Sequence, residues 1–185
     1  MIIIGITGTL GAGKGTIVDY LVKEKGFVHY SAREFFIEEI KRRGLPVNRD
    51  TMTEVANDLR STYGPSYMAE TLYARAKKAG GNAIIESIRA LGEEEALRKK
   101  GNFYLLAVDA DSKLRYKRII SRGSETDEIS FEKFLEDEER EMTSADPNKQ
   151  NIRGVMTHAD FLIHNDGTQG ELHQEIEAML RKIGL

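Results

Sequence analysis

Residues 1–21 read MIIIGITGTLGAGKGTIVDYL, and the part of this stretch that decides the fold is GTLGAGKGT, Gly8–Thr16. Four of these nine residues are glycine, so the segment contributes almost nothing to a hydrophobic core. It follows Ile2–Thr7, a short β-branched run that is typical of a buried strand. It precedes Thr16–Lys25, whose apolar residues recur on one helical face. A glycine-rich connection between such a strand and such a helix needs an explanation other than packing.

Anion binding provides that explanation. Glycine lets successive backbone N–H groups turn inward and lets phosphate oxygens approach without a Cβ in the way. The helix that follows directs the positive end of its dipole at the same point, and Lys14 adds a mobile positive charge. The spacing G-x-x-x-x-G-K is that of a P-loop. The sequence therefore predicts a polyphosphate-binding loop made of Gly8, Thr9, Leu10, Gly11, Ala12, Gly13, Lys14, Gly15 and Thr16.

The rest of the chain predicts an α/β fold. Short apolar runs bounded by glycine or polar residues indicate further strands at Phe27–Tyr30, Ala83–Ile85, Phe103–Val108 and Phe161–His164. Helical patterns lie between them, at Ala32–Arg43, Met52–Tyr63, Ser66–Lys78, Ser112–Ser121, Ser130–Met142 and Gln169–Ile183. Apolar strands that alternate with helices indicate a parallel sheet covered on both faces. We therefore expect a three-layer α/β domain of about five parallel strands, with ligands bound beyond their carboxyl ends.

The composition indicates one soluble domain over residues 1–185. The chain is 40% hydrophobic and 31% charged, with a net charge of −3 and no cysteine. These values argue against nucleic acid or a membrane as the partner, and against a disulfide scaffold. The N-terminal apolar run is too short for a secretory signal or a membrane span. We expect a cytoplasmic protein; the sequence does not indicate its oligomeric state.

One position departs from the usual P-loop pattern. The residue after the lysine is commonly serine or threonine, whose hydroxyl ligates Mg²⁺, whereas this chain has Gly15 followed by Thr16. The resulting pattern G-x-x-G-x-G-K-G-T resembles the loop of adenylate-kinase-like nucleotide kinases rather than that of GTPases or motor ATPases. The resemblance implies ATP and Mg²⁺ as cofactors, with the metal held by phosphates and water and with Thr16 near an inner phosphate.

In such kinases an acidic residue and a nearby arginine follow a buried central strand, and AIIESIRA, residues 83–90, supplies Glu86 and Arg89. The acid of this group is usually aspartate followed by glycine; here it is glutamate followed by Ser87, and the spacing to the arginine differs. The resemblance implies that Glu86 orients magnesium-bound water and that Arg89 meets the acceptor phosphate. The structural alternatives are a carboxylate that caps the next helix and a surface arginine.

The resemblance also implies an acceptor-binding helical region over residues 31–80. Arg33 opens the helix after the second strand, and it matches an arginine that reaches the acceptor phosphate in these kinases. Arg60 is a second candidate in this region, although a structural role is favoured for it.

The stretch DADSKLRYKRIISRGSETDE, residues 109–128, places Arg115, Arg118 and Arg122 on one helical face. Like charges at this spacing repel, so an anionic ligand would relieve them. Arg118 and Arg122 match the R-I-x-x-R pattern of lid arginines in adenylate-kinase-like enzymes, which implies a lid-like region over residues 112–150. The alternative is a basic helix that pairs, through Lys113 or Lys117, with the acidic run of residues 125–141. Both can hold at once.

Near the C-terminus, a predicted strand is followed by Asn165, Asp166 and Gly167. This segment resembles the closing part of dephospho-coenzyme A kinases and implies contact with the adenine, although a plain turn fits equally well. The four histidines lack the spacing of a metal site.

These patterns together favour transfer of the γ-phosphoryl group of ATP to a small nucleotide or nucleotide-like acceptor. The predicted catalytic residues are Lys14, Glu86, Arg118 and Arg122, the predicted acceptor ligands are Arg33 and Arg89, and the metal contacts are Thr16 and, through water, Glu86. A nucleoside monophosphate is the favoured acceptor, and a ribose hydroxyl, as in dephospho-coenzyme A kinases, is the alternative. A third hypothesis is an ATP-binding regulator that signals to a partner without a small-molecule acceptor.

Overall fold

The glycine-rich stretch joins the first strand to the first helix, as the sequence predicts. The computed structural model describes residues 1–123 and 129–185. Its strands are β1 (Ile3–Gly8), β2 (Val28–Ser31), β3 (Ala83–Glu86), β4 (Phe103–Asp109) and β5 (Phe161–His164). The helices in these residues are α1 (Lys14–Lys25), α2 (Ala32–Arg42), α3 (Arg49–Tyr63), α4 (Tyr67–Ala79), α5 (Leu91–Arg98), α6 (Ser112–Arg122), α7 (Phe131–Met142), α8 (Ile152–Thr157) and α9 (Gln169–Lys182).

The strands form one sheet in the order β2-β3-β1-β4-β5, and every neighbouring pair is parallel. Gly8 at the end of β1 pairs with Val108 of β4, while Ser31 of β2 pairs with Glu86 of β3. The carboxyl ends of all five strands therefore meet at one edge of the sheet. This arrangement confirms the predicted parallel α/β fold.

Side chains alternate between the two faces of the sheet and fill two separate cores. On one face, Ile3, Ile85 and Leu105 pack among apolar residues of α2, α3 and α4. On the other face, Ile4 and Leu106 pack among apolar residues of α1 and α9. Helices on both faces of the sheet make the three layers that the apolar strands predict.

The structure differs from the sequence-based prediction in two short helices, α5 and α8. The segment of α5 is rich in glutamate, and two of its glutamates are buried in ion pairs, so its apolar periodicity is weak. Helix α8 has six residues, which is too short to show a 3.6-residue repeat. Helix α1 also begins at Lys14 rather than at Thr16, because Gly13 in the left-handed region serves as its N-cap.

Two predictions fall partly on residues 124–128, which lie outside the described residues. They are the lid-like region over residues 112–150 and the start of the acidic run at Glu125. Among the described residues, no helix combines the length and the apolar character that crossing a bilayer requires.

Gly8 should prove essential for stability. It lies at a φ of 133°, and a Cβ at this position would stand 2.0 Å from the Val108 carbonyl oxygen. Because the main chain of β4 cannot give way, we expect Gly8→Ala to lower the free energy of unfolding by about 1–3 kcal/mol, measured by urea denaturation.

Gly15→Ala is the matched control for this variant. An added Cβ at Gly15, in the first turn of α1, meets nothing within 4 Å. We expect it to change the free energy of unfolding by less than about 1 kcal/mol, in the stabilising direction. Equal losses for the two variants would contradict the backbone contact as the cause.

Candidate functional site

The loop after β1 is fixed by contacts from the carboxyl ends of β4 and β5. Thr9 Oγ1 donates a hydrogen bond of 2.7 Å to Asp109 Oδ1 at the end of β4. From the end of β5, Asn165 Nδ2 donates one of 2.8 Å to the Ala12 carbonyl oxygen. Gly13 lies at a φ of 97°, and a Cβ there would stand 2.2 Å from Asn165 Nδ2. The loop therefore needs glycine at this position both for its backbone conformation and for the approach of Asn165.

Lys14 folds back over this loop. Its Nζ donates to the carbonyl oxygens of Gly8 and Thr9 at 3.0 and 2.8 Å. Burial and, to a smaller extent, the positive charge of Arg89 lower the pKa of Lys14 from 10.5 to about 8, against the opposing effect of Glu86. The loop thus holds a cation whose charge is costly until an anion approaches it.

Glu86 ends β3, and its carboxylate lies between two polar neighbours. His29 Nε2 lies 3.3 Å from Glu86 Oε2, and Ser87 Oγ donates to Oε1 at 3.2 Å. Burial alone would raise the pKa of Glu86, but the contact with His29 and the charge of Lys14 outweigh it, so the pKa is lowered. The carboxylate is therefore ionised at neutral pH.

Ser87 adopts a φ of 68°, which is uncommon for a residue with a side chain. The kinases that this chain resembles usually have glycine at this position. The sequence departs from the family pattern here, yet the backbone keeps a conformation that suits glycine.

Arg89 is held by the acidic helix α7 and by the segment before α8. Its Nη1 donates to Glu141 Oε2 at 2.7 Å and to Gln150 Oε1 at 2.9 Å. Its backbone N–H donates to Glu93 Oε2 at 2.8 Å. The guanidinium is thus already paired with a carboxylate at the place where the sequence predicts an acceptor phosphate.

Arg115 and Arg118 of α6 have different environments. Arg115 is buried; it donates to the carbonyl oxygens of Ala110 and Leu10 and forms an ion pair with Glu138. Arg118 donates through Nη2 to the Asn165 carbonyl oxygen at 2.9 Å. The pairing between the basic and acidic helices, predicted for Lys113 or Lys117, is made by Arg115.

Arg118 Nη1 is buried and has no hydrogen-bond partner within residues 1–123 and 129–185. A buried guanidinium nitrogen without a partner is costly. Because Arg118 also lines the cleft described below, its Nη1 fits a role as a donor to an anion there.

Arg60 and Glu93 form a buried pair behind the predicted acceptor region. Arg60 Nη2 lies 3.0 Å from Glu93 Oε1, and both side chains are almost completely buried. The other oxygen of Glu93 accepts from the backbone N–H groups of Arg89 and Ala90. Arg60 therefore has the structural role that the sequence favours, and it also lines the cleft.

One cleft of about 680 Å³ brings most of the predicted residues together. Its lining includes Leu10, Gly11, Gly13, Lys14, Gly15, Thr16, Arg33, Glu86, Arg89, Arg118, Arg122, Asn165 and Gly167. Gly8, Thr9 and Ala12 are not part of the lining and support the loop instead. Asp166 accepts a hydrogen bond from the Asp111 N–H rather than lining the cleft.

Sequence reasoning missed His29, Glu141, Gln150 and Glu93. His29 could have been found, because it lies near the carboxyl end of the strand that precedes the predicted acceptor region. Glu141 could not, because it is one of nine acidic residues between positions 125 and 141 and nothing local distinguishes it.

The residues that face the cleft fit a magnesium–nucleotide complex better than a cation bound by protein alone. The described residues contain no group of three or more side chains with metal-ligand spacing. Mg²⁺ is usually bound by one or two protein oxygens together with phosphates and water. Glu86 and Thr16, which line the same cleft, supply donors of this kind.

Comparison with solved structures shows that other proteins share this fold. The chain is similar over 98% of its length to TT1252 from Thermus thermophilus, with 97% of that chain covered, a TM-score of 0.59 and 23% identity. It is similar over its whole length to shikimate kinase from Bacteroides thetaiotaomicron, with 99% covered, a TM-score of 0.56 and 13% identity. A sugar kinase from Janibacter sp. HTCC2649 gives a TM-score of 0.55 and 20% identity, with coverages of 100% and 96%.

Curated relatives match over nearly the whole chain. A UPF0200 protein of Methanococcus maripaludis is 28% identical, with 99% of this chain and 98% of the relative covered. A UPF0200 protein of Pyrobaculum aerophilum is 29% identical, with 98% of each covered. The family model described as "AAA domain" (AAA_18) matches residues 4–144. Because that match includes the glycine-rich loop, the cleft's Glu86 and Arg89 and the arginines of α6, the chain belongs to this AAA domain family and has a P-loop kinase-like fold.

Proposed function

We propose that this protein is an ATP-dependent phosphotransferase that acts on a small-molecule acceptor. The observation that carries the proposal is that Lys14, Glu86 and Arg118, which come from three separate elements, line one cleft. Its volume of about 680 Å³ suits small-molecule ligands. The shikimate and sugar kinases among the structural neighbours support phosphoryl transfer to a small molecule.

The residues of the cleft divide the work of phosphoryl transfer. Backbone N–H groups of the loop and of the first turn of α1 bind the donor phosphates, because those amides have no intrahelical partner. Lys14 offsets negative charge on the phosphoryl group during transfer, and Arg118 and Arg122 of α6 neutralise the charge of the same group. Thr16 and, through water, Glu86 would hold Mg²⁺, which would offset the negative charge of the donor phosphates. Such a reaction depends mainly on positioning and charge, and the protein forms no covalent bond.

The acceptor side of the cleft is formed by α2, α3 and the segment after β3. Arg33 is exposed at its mouth, while Arg89 and Glu86 lie deeper. Glu86 would help to hold Mg²⁺ through water or, for a hydroxyl acceptor, would accept its proton. We retain residues 31–80 as the acceptor-binding region and residues 112–150 as a region that closes over the donor. We further propose action in the cytoplasm, without nucleic acid or membrane as a partner.

Two measurements test the proposal. Calorimetry should detect binding of Mg–ATP, and a coupled assay should detect ADP release that a small-molecule acceptor accelerates manyfold. Tight ATP binding that no acceptor converts into faster ADP release would instead favour a regulatory ATPase. Failure to bind Mg–ATP would overturn the phosphotransferase.

Lys14→Ala should reduce kcat/KM by at least about 10²-fold, since the lysine stabilises charge on the transferred group. The fold should persist, because Lys14 lies at the start of α1 outside the hydrophobic cores and donates to two carbonyl oxygens of the adjoining loop. Lys23→Ala, an exposed lysine on the same helix, is the control and should retain the wild-type rate. An unchanged rate in Lys14→Ala would remove this residue from the mechanism.

The affinity for ATP should fall as the pH rises above about 8, which is the pKa of Lys14. Below this pH the amine is already charged; above it, phosphate binding must raise its pKa and take up a proton. Linkage therefore predicts proton uptake that increases toward about one per ATP between pH 8 and 9.5. Calorimetry in two buffers of different ionisation enthalpy measures this uptake. Lys14→Arg should abolish it, and uptake that persists there would contradict the assignment.

Arg122→Ala should lower kcat by about 10²-fold and change the affinity for ATP by less than about threefold. The reason is that a guanidinium beside the transferred group contributes mainly when charge spreads over that group. Lys117→Ala, on the exposed part of the same helix, should leave both quantities unchanged. Equal losses in rate and affinity would make Arg122 an ordinary binding residue.

A further inference from the structure

The acceptor half of the cleft is nearly balanced in charge. We define the acceptor half by the lining residues Ala32, Arg33, Phe36, Met52, Thr53, Ala56, Arg60, Glu86, Ser87, Arg89, Glu141 and Gln150. It contains three arginines, and three carboxylates oppose them: Glu86 and Glu141 in the lining and Glu93 directly behind it. Its other residues are polar and uncharged or apolar.

Two of the three arginines are already paired with carboxylates. Arg60 Nη2 lies 3.0 Å from Glu93 Oε1; the Arg60 side chain is 3% exposed and the Glu93 side chain is 0% exposed. Arg89 Nη1 lies 2.7 Å from Glu141 Oε2, and the Glu141 side chain is 11% exposed. Arg33 is exposed and forms no ion pair with a carboxylate in the described part of the chain. The acceptor half therefore offers one unneutralised cation.

A phosphate group that approached Arg89 would meet a guanidinium whose charge Glu141 already offsets and whose Nη1 already donates to Glu141 and Gln150. Placing two anions beside one guanidinium in a partly buried site is costly, and displacing Glu141 would break a short ion pair. By contrast, an uncharged hydroxyl compound can enter without disturbing either pair. The ring of Phe36 and the side chains of Met52 and Ala56 offer such a compound apolar contact.

We propose that the acceptor is a hydroxyl compound with at most one negative charge, and that Glu141 excludes phosphorylated acceptors by neutralising Arg89. This inference rests on the proposed phosphotransferase activity and specifies its substrate class. It reverses the preference that the sequence gives to nucleoside monophosphates. Arg33 then binds any single anionic group of the acceptor.

The proposed transfer step needs only ATP, the acceptor and residues of the cleft. The acceptor's hydroxyl oxygen forms the new bond to the γ-phosphorus of ATP, and the bond from that phosphorus to the β,γ-bridging oxygen breaks. ADP leaves with the electron pair of that bond, and the hydroxyl proton passes to the Glu86 carboxylate. His29 and Ser87 contact this carboxylate and keep it oriented.

Glu141→Gln tests the proposal directly. The variant keeps the size of the side chain and an oxygen for Arg89, and it removes the negative charge. Glu136→Gln on the same helix is the matched control, since Glu136 is exposed and pairs with Lys133. Calorimetry would measure the binding of AMP to each protein with the donor site saturated by Mg²⁺ and the non-hydrolysable analogue AMP-PNP.

We expect Glu141→Gln to bind AMP at least about tenfold more tightly than the wild type and Glu136→Gln do. In coupled assays the wild type should not phosphorylate AMP, CMP, GMP or UMP. Acceleration of ADP release by uncharged or singly charged compounds such as D-ribose, myo-inositol or D-glycerate, abolished in Glu86→Gln, would support the proposal further.

The proposal is overturned if the wild type phosphorylates any of the four monophosphates, or if Glu141→Gln binds AMP no better than the control. The separate titration with Mg–ATP keeps this failure distinct from failure of the proposed function. ATP that binds normally while the charge on Glu141 has no effect would leave the phosphotransferase standing and remove only the assignment of the acceptor.

Discussion

The site depends on one constraint, the close approach of the loop after β1 to the ends of β4 and β5. Gly8 pairs with Val108 with no room for a Cβ, and Gly13 lies against the side chain of Asn165. These contacts fix where the loop N–H groups and the start of α1 lie. Lys14, Thr16 and the arginines of α6 take their positions relative to that loop.

Electrostatic pairing governs the rest of the cleft. On the side of the glycine-rich loop, Arg118 Nη1 is buried and has no hydrogen-bond partner among the described residues. On the acceptor side, Glu93 and Glu141 already neutralise two arginines. In our proposal, the side of the cleft beside the glycine-rich loop therefore binds a highly charged ligand, and the side beside Arg89 binds a weakly charged one.

The fold could be predicted from the sequence because its signals are local. Short β-branched runs, amphipathic helices and a glycine-rich turn each depend on neighbouring residues, so the parallel sheet and its functional edge followed from them. Glu86 and Arg89 could be singled out because they follow a buried strand. The helix α5 could not, because its buried Glu93 is stabilised by Arg60, which is 33 positions away and contacts it only in the folded chain.

The charge state of the acceptor side was beyond prediction for the same reason. Arg89 and Glu141 are 52 positions apart, and no periodicity relates them. An arginine in a motif indicates a possible phosphate ligand, whereas its actual partners depend on how distant helices pack. Arg115 illustrates the same point, since it lies in the same arginine series as Arg118 yet is buried in structural contacts.

Arg115 has a mechanical consequence. One guanidinium joins the Leu10 carbonyl oxygen of the glycine-rich loop to Glu138 of α7, and its own backbone belongs to α6. Three segments that border the cleft thus share a single rigid, planar group. A shift of α7 would therefore disturb the hydrogen bond that Arg115 donates to the glycine-rich loop, so the position of that loop and the position of α7 depend on each other.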